Sequence, residues 1–78
     1  MKRVKSRFKK LLAEKAEREE RKITTRRAAS EAGVSWRIAY GMAADTSTDF
    51  PREALEKLCR YLDCDLSELL VLVEDDSD

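Results

Sequence analysis

Thr24-Thr25-Arg26-Arg27-Ala28-Ala29-Ser30-Glu31-Ala32-Gly33-Val34-Ser35-Trp36-Arg37-Ile38-Ala39-Tyr40-Gly41-Met42-Ala43-Ala44 reads as two short helices and the joint between them. Thr24 or Thr25 can accept a backbone N–H and start the first of the two. Ala28, Ala29 and Ala32 gather on that helix, and side chains so small let another helix approach closely. Gly33 stops it, because glycine tolerates the left-handed conformation at a helix C-terminus. Val34 plugs the turn, and Ser35 is an N-cap for a second helix from Trp36 to about Ala44. A short helix, a glycine stop, one apolar residue, a serine cap and a second short helix make the layout of a helix-turn-helix.

Working outward, the N-terminal flank predicts a helix from about Val4 to Lys22. Val4, Phe8, Leu11 and Leu12 share one face, and Glu14–Arg18 and Glu17–Arg21 are i, i+4 pairs that support a charged, exposed extension. Ile23 brings the chain back to the core. On the other flank, Asp45-Thr46-Ser47-Thr48-Asp49 is a polar loop of turn and capping residues, and Pro51 suits the first turn of a fourth helix. Leu55, Leu58, Cys59 and Leu62 repeat the one-face spacing. Asp65 and Glu68 stand as in a capping box for a fifth helix, with Leu66, Leu69, Leu70 and Val73 on its apolar face. No run alternates apolar and polar residues over strand length, so the expected class is all-α. The expected organisation is a single domain over residues 1–73, with helices over 4–22, 24–44 and 51–73, and an acidic tail at 74–78. Leu70-Val71-Leu72-Val73 is more apolar than a helix end needs, and its surplus is a candidate dimer contact by helix or by short strand.

A chain of 78 residues allows one small core. No stretch approaches the roughly 20 apolar residues of a membrane span, and the basic N-terminus lacks the apolar stretch and cleavage site of a signal peptide. A cytoplasmic chain of bacterial or phage type is expected, with no membrane partner. Cys59 and Cys64 read as free thiols used as small core residues, since the chain has no His to complete a zinc set. No metal, cofactor or small-molecule ligand is expected. The net charge is zero, but its distribution is uneven: residues 1–42 carry 13 Lys/Arg against 5 Asp/Glu, and residues 43–78 carry 3 against 11. The result is either an oriented molecule with one face toward phosphates or a dipolar, well-solvated surface. An enzyme is disfavoured, because there is no His, Gly-rich phosphate loop or metal cluster.

Ile23 to Ser35, followed by Thr46-Ser47-Thr48-Asp49, Ala54 to Cys64 and Leu66-Ser67-Glu68-Leu69-Leu70, resembles the Cro/phage-repressor-like (XRE) DNA-binding family over roughly residues 4–73. The resemblance implies a compact five-helix, lambda-repressor-like domain whose third helix enters the major groove of double-stranded DNA. It further implies a phosphate contact from Thr25, base-reading positions at Trp36, Arg37 and Gly41 with Tyr40 beside them, and buried positions at Ala39 and Met42. Thr25 stands where the family has Gln, which shortens the contact. Ala44 and Asp45 stand in place of a common Asn-Gly, which removes a phosphate contact.

Each candidate has a plain reading beside the functional one. Arg37 can bind guanine O6 and N7 with two hydrogen bonds, or pair with Glu31 or another carboxylate. Arg26 and Arg27 can touch phosphates, or lie on a solvated face; Ser35, Thr46 and Ser47 are further candidates for phosphate contact. Trp36 can lie against a thymine methyl or cover the end of the core. Tyr40 can donate to a phosphate or pack as a half-buried ring. Gly41 costs about 1 kcal/mol in a helix relative to Ala, which a close approach to DNA or to helix two would offset, or it is a tolerated defect. Lys2, Arg3, Lys5, Lys9 and Lys10 form a basic cluster suited to phosphates, to the minor groove as an arm, or simply to solubility.

Two functions follow. The first is a sequence-specific transcriptional regulator, a repressor in the simplest case, acting as a homodimer on a two-fold site. The second is a protein-interaction module of antirepressor or antitoxin type, which keeps the scaffold and loses specific DNA binding.

Overall fold

In the computed structural model the described residues are 2–47 and 49–74, so Thr48 and the expected acidic tail beyond Glu74 lie outside them. The elements run β1 (Lys2–Ser6), α1 (Phe8–Arg18), α2 (Thr25–Ala32), α3 (Trp36–Ala44), α4 (Arg52–Leu62), α5 (Leu66–Leu69) and β2 (Leu70–Glu74). Local chemistry fixes the central pair. Thr24 Oγ1 accepts the N–H of Arg27 at 3.1 Å and caps α2. Gly33 closes that helix at φ 79°, with its N–H on Ala29 O. Ser35 Oγ then accepts the N–H of Ile38 at 3.3 Å and caps α3. At the far end α3 closes on Asp45, a non-glycine residue held at φ 59°, a conformation that Asp tolerates better than most residues. Pro51 stands just before α4 and accepts the N–H of Leu55. Asp65 N–H donates to Glu68 Oε1 at 2.9 Å at the start of α5.

The core gathers one face from every helix. Phe8 and Leu12 of α1, Ala28 and Ala29 of α2, Ala39 and Met42 of α3, Leu58 and Leu62 of α4, Leu69 of α5 and the connecting Ile23 are all buried. Where α2 crosses α3, three alanines stand in for larger side chains, which lets the two backbones close up. The expected burial of Ala39 and Met42 is present. Among the described residues no helix is long and apolar enough to cross a membrane.

The two ends of the chain correct the all-α expectation. Residues 2–6 and 70–74 form an antiparallel two-stranded ribbon in the register Lys2↔Glu74, Val4↔Leu72 and Ser6↔Leu70. The helix expected from Val4 starts only at Phe8, and the fifth helix ends at Leu69. Val4 has the right spacing for the buried face, yet it is 45% exposed. The cause is pairing between sequence-distant segments. Arg7 N–H donates to Leu69 O at 2.8 Å, which leads β1 alongside β2. Val71 and Val73 are β-branched, which suits a strand better than a helix end. The alternation along β2 is of leucine with valine, not of apolar with polar, so its period of two was hidden. The Leu70–Val73 surplus is therefore paired in part within the chain itself.

The charged extension also ends early. The α1 helix stops at Arg18, Glu20 turns to φ 53° and Arg21 N–H returns to Ala16 O at 3.0 Å. This reversal sends Arg21 toward α2 instead of prolonging an unpacked helix.

Candidate nucleic-acid interface

Helix α3 buries Ala39 and Met42 and leaves Trp36, Arg37 and Tyr40 exposed. Trp36 and Tyr40 meet edge to face, with ring centroids 5.3 Å apart and planes at 89°. Trp36 is 55% exposed, so it does not cover the core, and Tyr40 at 56% is more open than a half-buried ring. The aromatic pair forms a ridge between two hollows. Thr25 and Arg26 at the start of α2 line one with the aromatic pair. Ser35, Arg37, Gly41, Thr46 and Ser47 line the other. Nine of the ten residues expected at the site therefore border this ridge. Arg27 stands apart, 3.9 Å from Glu31 on its own helix.

Gly41 is explained by the chain itself and not by helix α2. A Cβ there would lie 2.7 Å from Ser47 Oγ. Thr46 N–H donates to Gly41 O at 2.9 Å. The bare position lets the loop after α3 fold back onto the helix and bring Thr46 and Ser47 to the hollow.

Glu31, the carboxylate that sequence offered as a partner for Arg37, is occupied elsewhere. Arg21 holds it with two hydrogen bonds of 2.9 and 2.8 Å, and Tyr61 Oη donates a third. The Arg21 bonds, then that of Tyr61, hold the Glu31 carboxyl down at about 2. Burial, then the bond to Glu31, pushes the Tyr61 hydroxyl up to about 12. Lys15 Nζ lies 4.6 Å over the Tyr61 ring and 2.6 Å from Glu19 Oε2. This network ties the end of α1, α2 and α4 together. Among the described residues no carboxylate pairs with Arg37 or Arg26.

Two side chains that matter here were missed in the sequence. Lys57 Nζ donates to Gly33 O at 3.3 Å, so α4 braces the turn between α2 and α3. Asp45 Oδ1 accepts the N–H of Ser6 at 3.0 Å, and Arg3 Nη1 lies 3.9 Å from Asp45 Oδ2. From sequence, Asp45 is a turn residue at the site of a lost phosphate contact, and its hold on β1 does not show. A helix-terminal Asp facing a basic N-terminus was the available signal, but the strand that carries those cations was not visible. Cys59 and Cys64 are free and half-buried, and burial pushes the Cys64 thiol up to about 11. Among the described residues no group of three or more His, Cys, Asp or Glu side chains is placed to hold a metal ion.

A capped pair of helices crossing through alanines, with an exposed polar and aromatic ridge on the second, defines a helix-turn-helix protein. The chain belongs to the family of Cro/C1-type HTH DNA-binding domains, whose description matches residues 7–75 of the 78. No curated protein and no solved structure matched the chain.

Proposed function

We propose that the protein is a sequence-specific transcriptional regulator, a repressor, that reads the major groove with α3. The observation that carries this reading is the freedom of Arg37: it is exposed on α3, and Glu31, the carboxylate within the motif, is already held by Arg21. A guanidinium left unpaired at that position can make the bidentate contact to guanine. Trp36 and Tyr40 offer apolar and hydroxyl contacts beside it. Thr25 and Arg26 on one side, with Ser35, Thr46 and Ser47 on the other, are placed for the flanking phosphates, and Arg27 adds to the local positive field. Gly41 acts through the loop it admits. Repression needs only occupancy of a promoter, so no further surface is required.

The reading includes a homodimer in the cytoplasm. One reading helix covers few base pairs, and two copies about one helical turn apart double the contact. Sedimentation with and without DNA checks the dimer.

Selection of bound sequences from random duplex DNA tests the function. Arg37→Ala is expected to relax base preference at one position by about 1–3 kcal/mol. Arg26→Ala is expected to weaken binding to every sequence and to flatten the salt slope by about 1. Failure to enrich any motif at low salt overturns the reading and favours a protein-interaction module.

A further inference from the structure

Asp45 stands at the end of α3, where the resemblance implies a lost phosphate contact, and it makes an internal contact instead. Its carboxylate holds the outer side of β1 through the N–H of Ser6, at the point where α3 ends and the loop to Thr46 and Ser47 begins. We propose that β1 is a second DNA-contacting element, set beside the end of α3 by Asp45, with Arg3 and Lys5 on phosphates flanking the site read by α3. This rests on the regulator reading above. The matched family region begins at residue 7, and β1 lies before it.

Four observations support the placement. Lys2, Arg3 and Lys5 give β1 three cations and no anion, the complement of a phosphate backbone. Arg3 and Lys5 alternate onto the same face of the ribbon, with Cα atoms about 6.6 Å apart. That face is distinct from the one carrying Val4 and Leu72. Among the described residues no carboxylate pairs with Lys5, and the 3.9 Å contact of Arg3 with Asp45 is long and its side chain 53% exposed. Such an exposed pair is worth little, so Arg3 can exchange Asp45 for a phosphate. Asp45 is thus a positioning residue, and the cations make the contact.

The test is the salt dependence of binding to the selected duplex, with the full chain. Arg3→Ala/Lys5→Ala is expected to lower the log–log slope by about 2 and to weaken binding alike across sequences, with the base preference set by Arg37 intact. Asp45→Gly keeps a residue suited to the left-handed conformation and removes a negative charge. If Asp45 only repelled DNA, that variant would bind more tightly. As a positioning residue its loss is expected to weaken binding and lower the slope. An unchanged slope in the double variant, with Arg37→Ala still relaxing base preference, overturns the role of β1 and leaves the regulator reading standing. Tighter binding by Asp45→Gly overturns the role of Asp45. A parent chain that binds no duplex even at about 50 mM salt overturns both the regulator reading and this proposal.

Discussion

A methyl group on residue 41 would sit 2.7 Å from Ser47 Oγ, with the next atom of Ser47 at 3.8 Å. Only the hydroxyl is in the way, and it can rotate. Gly41→Ala gains about 1 kcal/mol of helix propensity, which displacement of that hydroxyl offsets. Its stability in urea is therefore expected within about 1 kcal/mol of the parent, with DNA binding weakened. In a Ser47→Ala background the same substitution is expected to stabilise by about 1 kcal/mol. Destabilisation in both backgrounds would place the obstruction elsewhere. Glu31 makes a prediction in pH. Its folded-state carboxyl titrates at about 2 against an ordinary 4.5, so its contribution to stability is present above about 4.5 and is lost as pH falls toward 2. Glu31→Gln is expected to be less stable than the parent at pH 7, with the gap narrowing over that acid window. A gap that stays constant to pH 2 would mean that the charge of Glu31 plays no part.

The elements differ in how openly the sequence announces them. The α2–turn–α3 unit was legible because its determinants are local: Thr24, Gly33 and Ser35 act within three or four residues of themselves. The exposed face of α3 was legible for the same reason, since Ala39 and Met42 fix which side is buried. The ribbon was not, because Lys2 pairs with Glu74 at the far end of the sequence, and the alternation in β2 is of leucine with valine and not of apolar with polar. Leu69 stands where the ribbon leaves the body and is fully buried, whereas Leu72 is 66% exposed. Leu69→Ala is expected to cost about 2–5 kcal/mol, a large part of the roughly 5–15 kcal/mol that holds a small domain together. Leu72→Ser is expected to stay within about 0.5 kcal/mol. Equal costs for the two in chemical denaturation would show that the outer ribbon is packed against something.

For the molecule as a whole, the zero net charge conceals a separation of 13 cations in residues 1–42 from 11 anions in residues 43–78. Folding partly mixes the two: Asp45 goes to Arg3 and Ser6, and Glu74 lies opposite Lys2. Arg26 of α2 and Arg37 of α3 still border the exposed ridge, so association with DNA is expected to be steered. Stopped-flow association rates should fall steeply with added salt. A rate insensitive to salt would mean that the uneven charge serves solubility alone.

The pairing of Lys2–Ser6 with Leu70–Glu74 has a consequence for biosynthesis. On the ribosome residues 2–6 emerge well before residues 70–74, so the first strand waits without a ladder partner until the helices between them have been made. A product truncated before residue 70 would leave that basic segment loose, whereas joining Glu74 to Lys2 through a short Gly-Ser link and opening the chain in the loop near Asp49 would make the two strands neighbours in synthesis as well as in space.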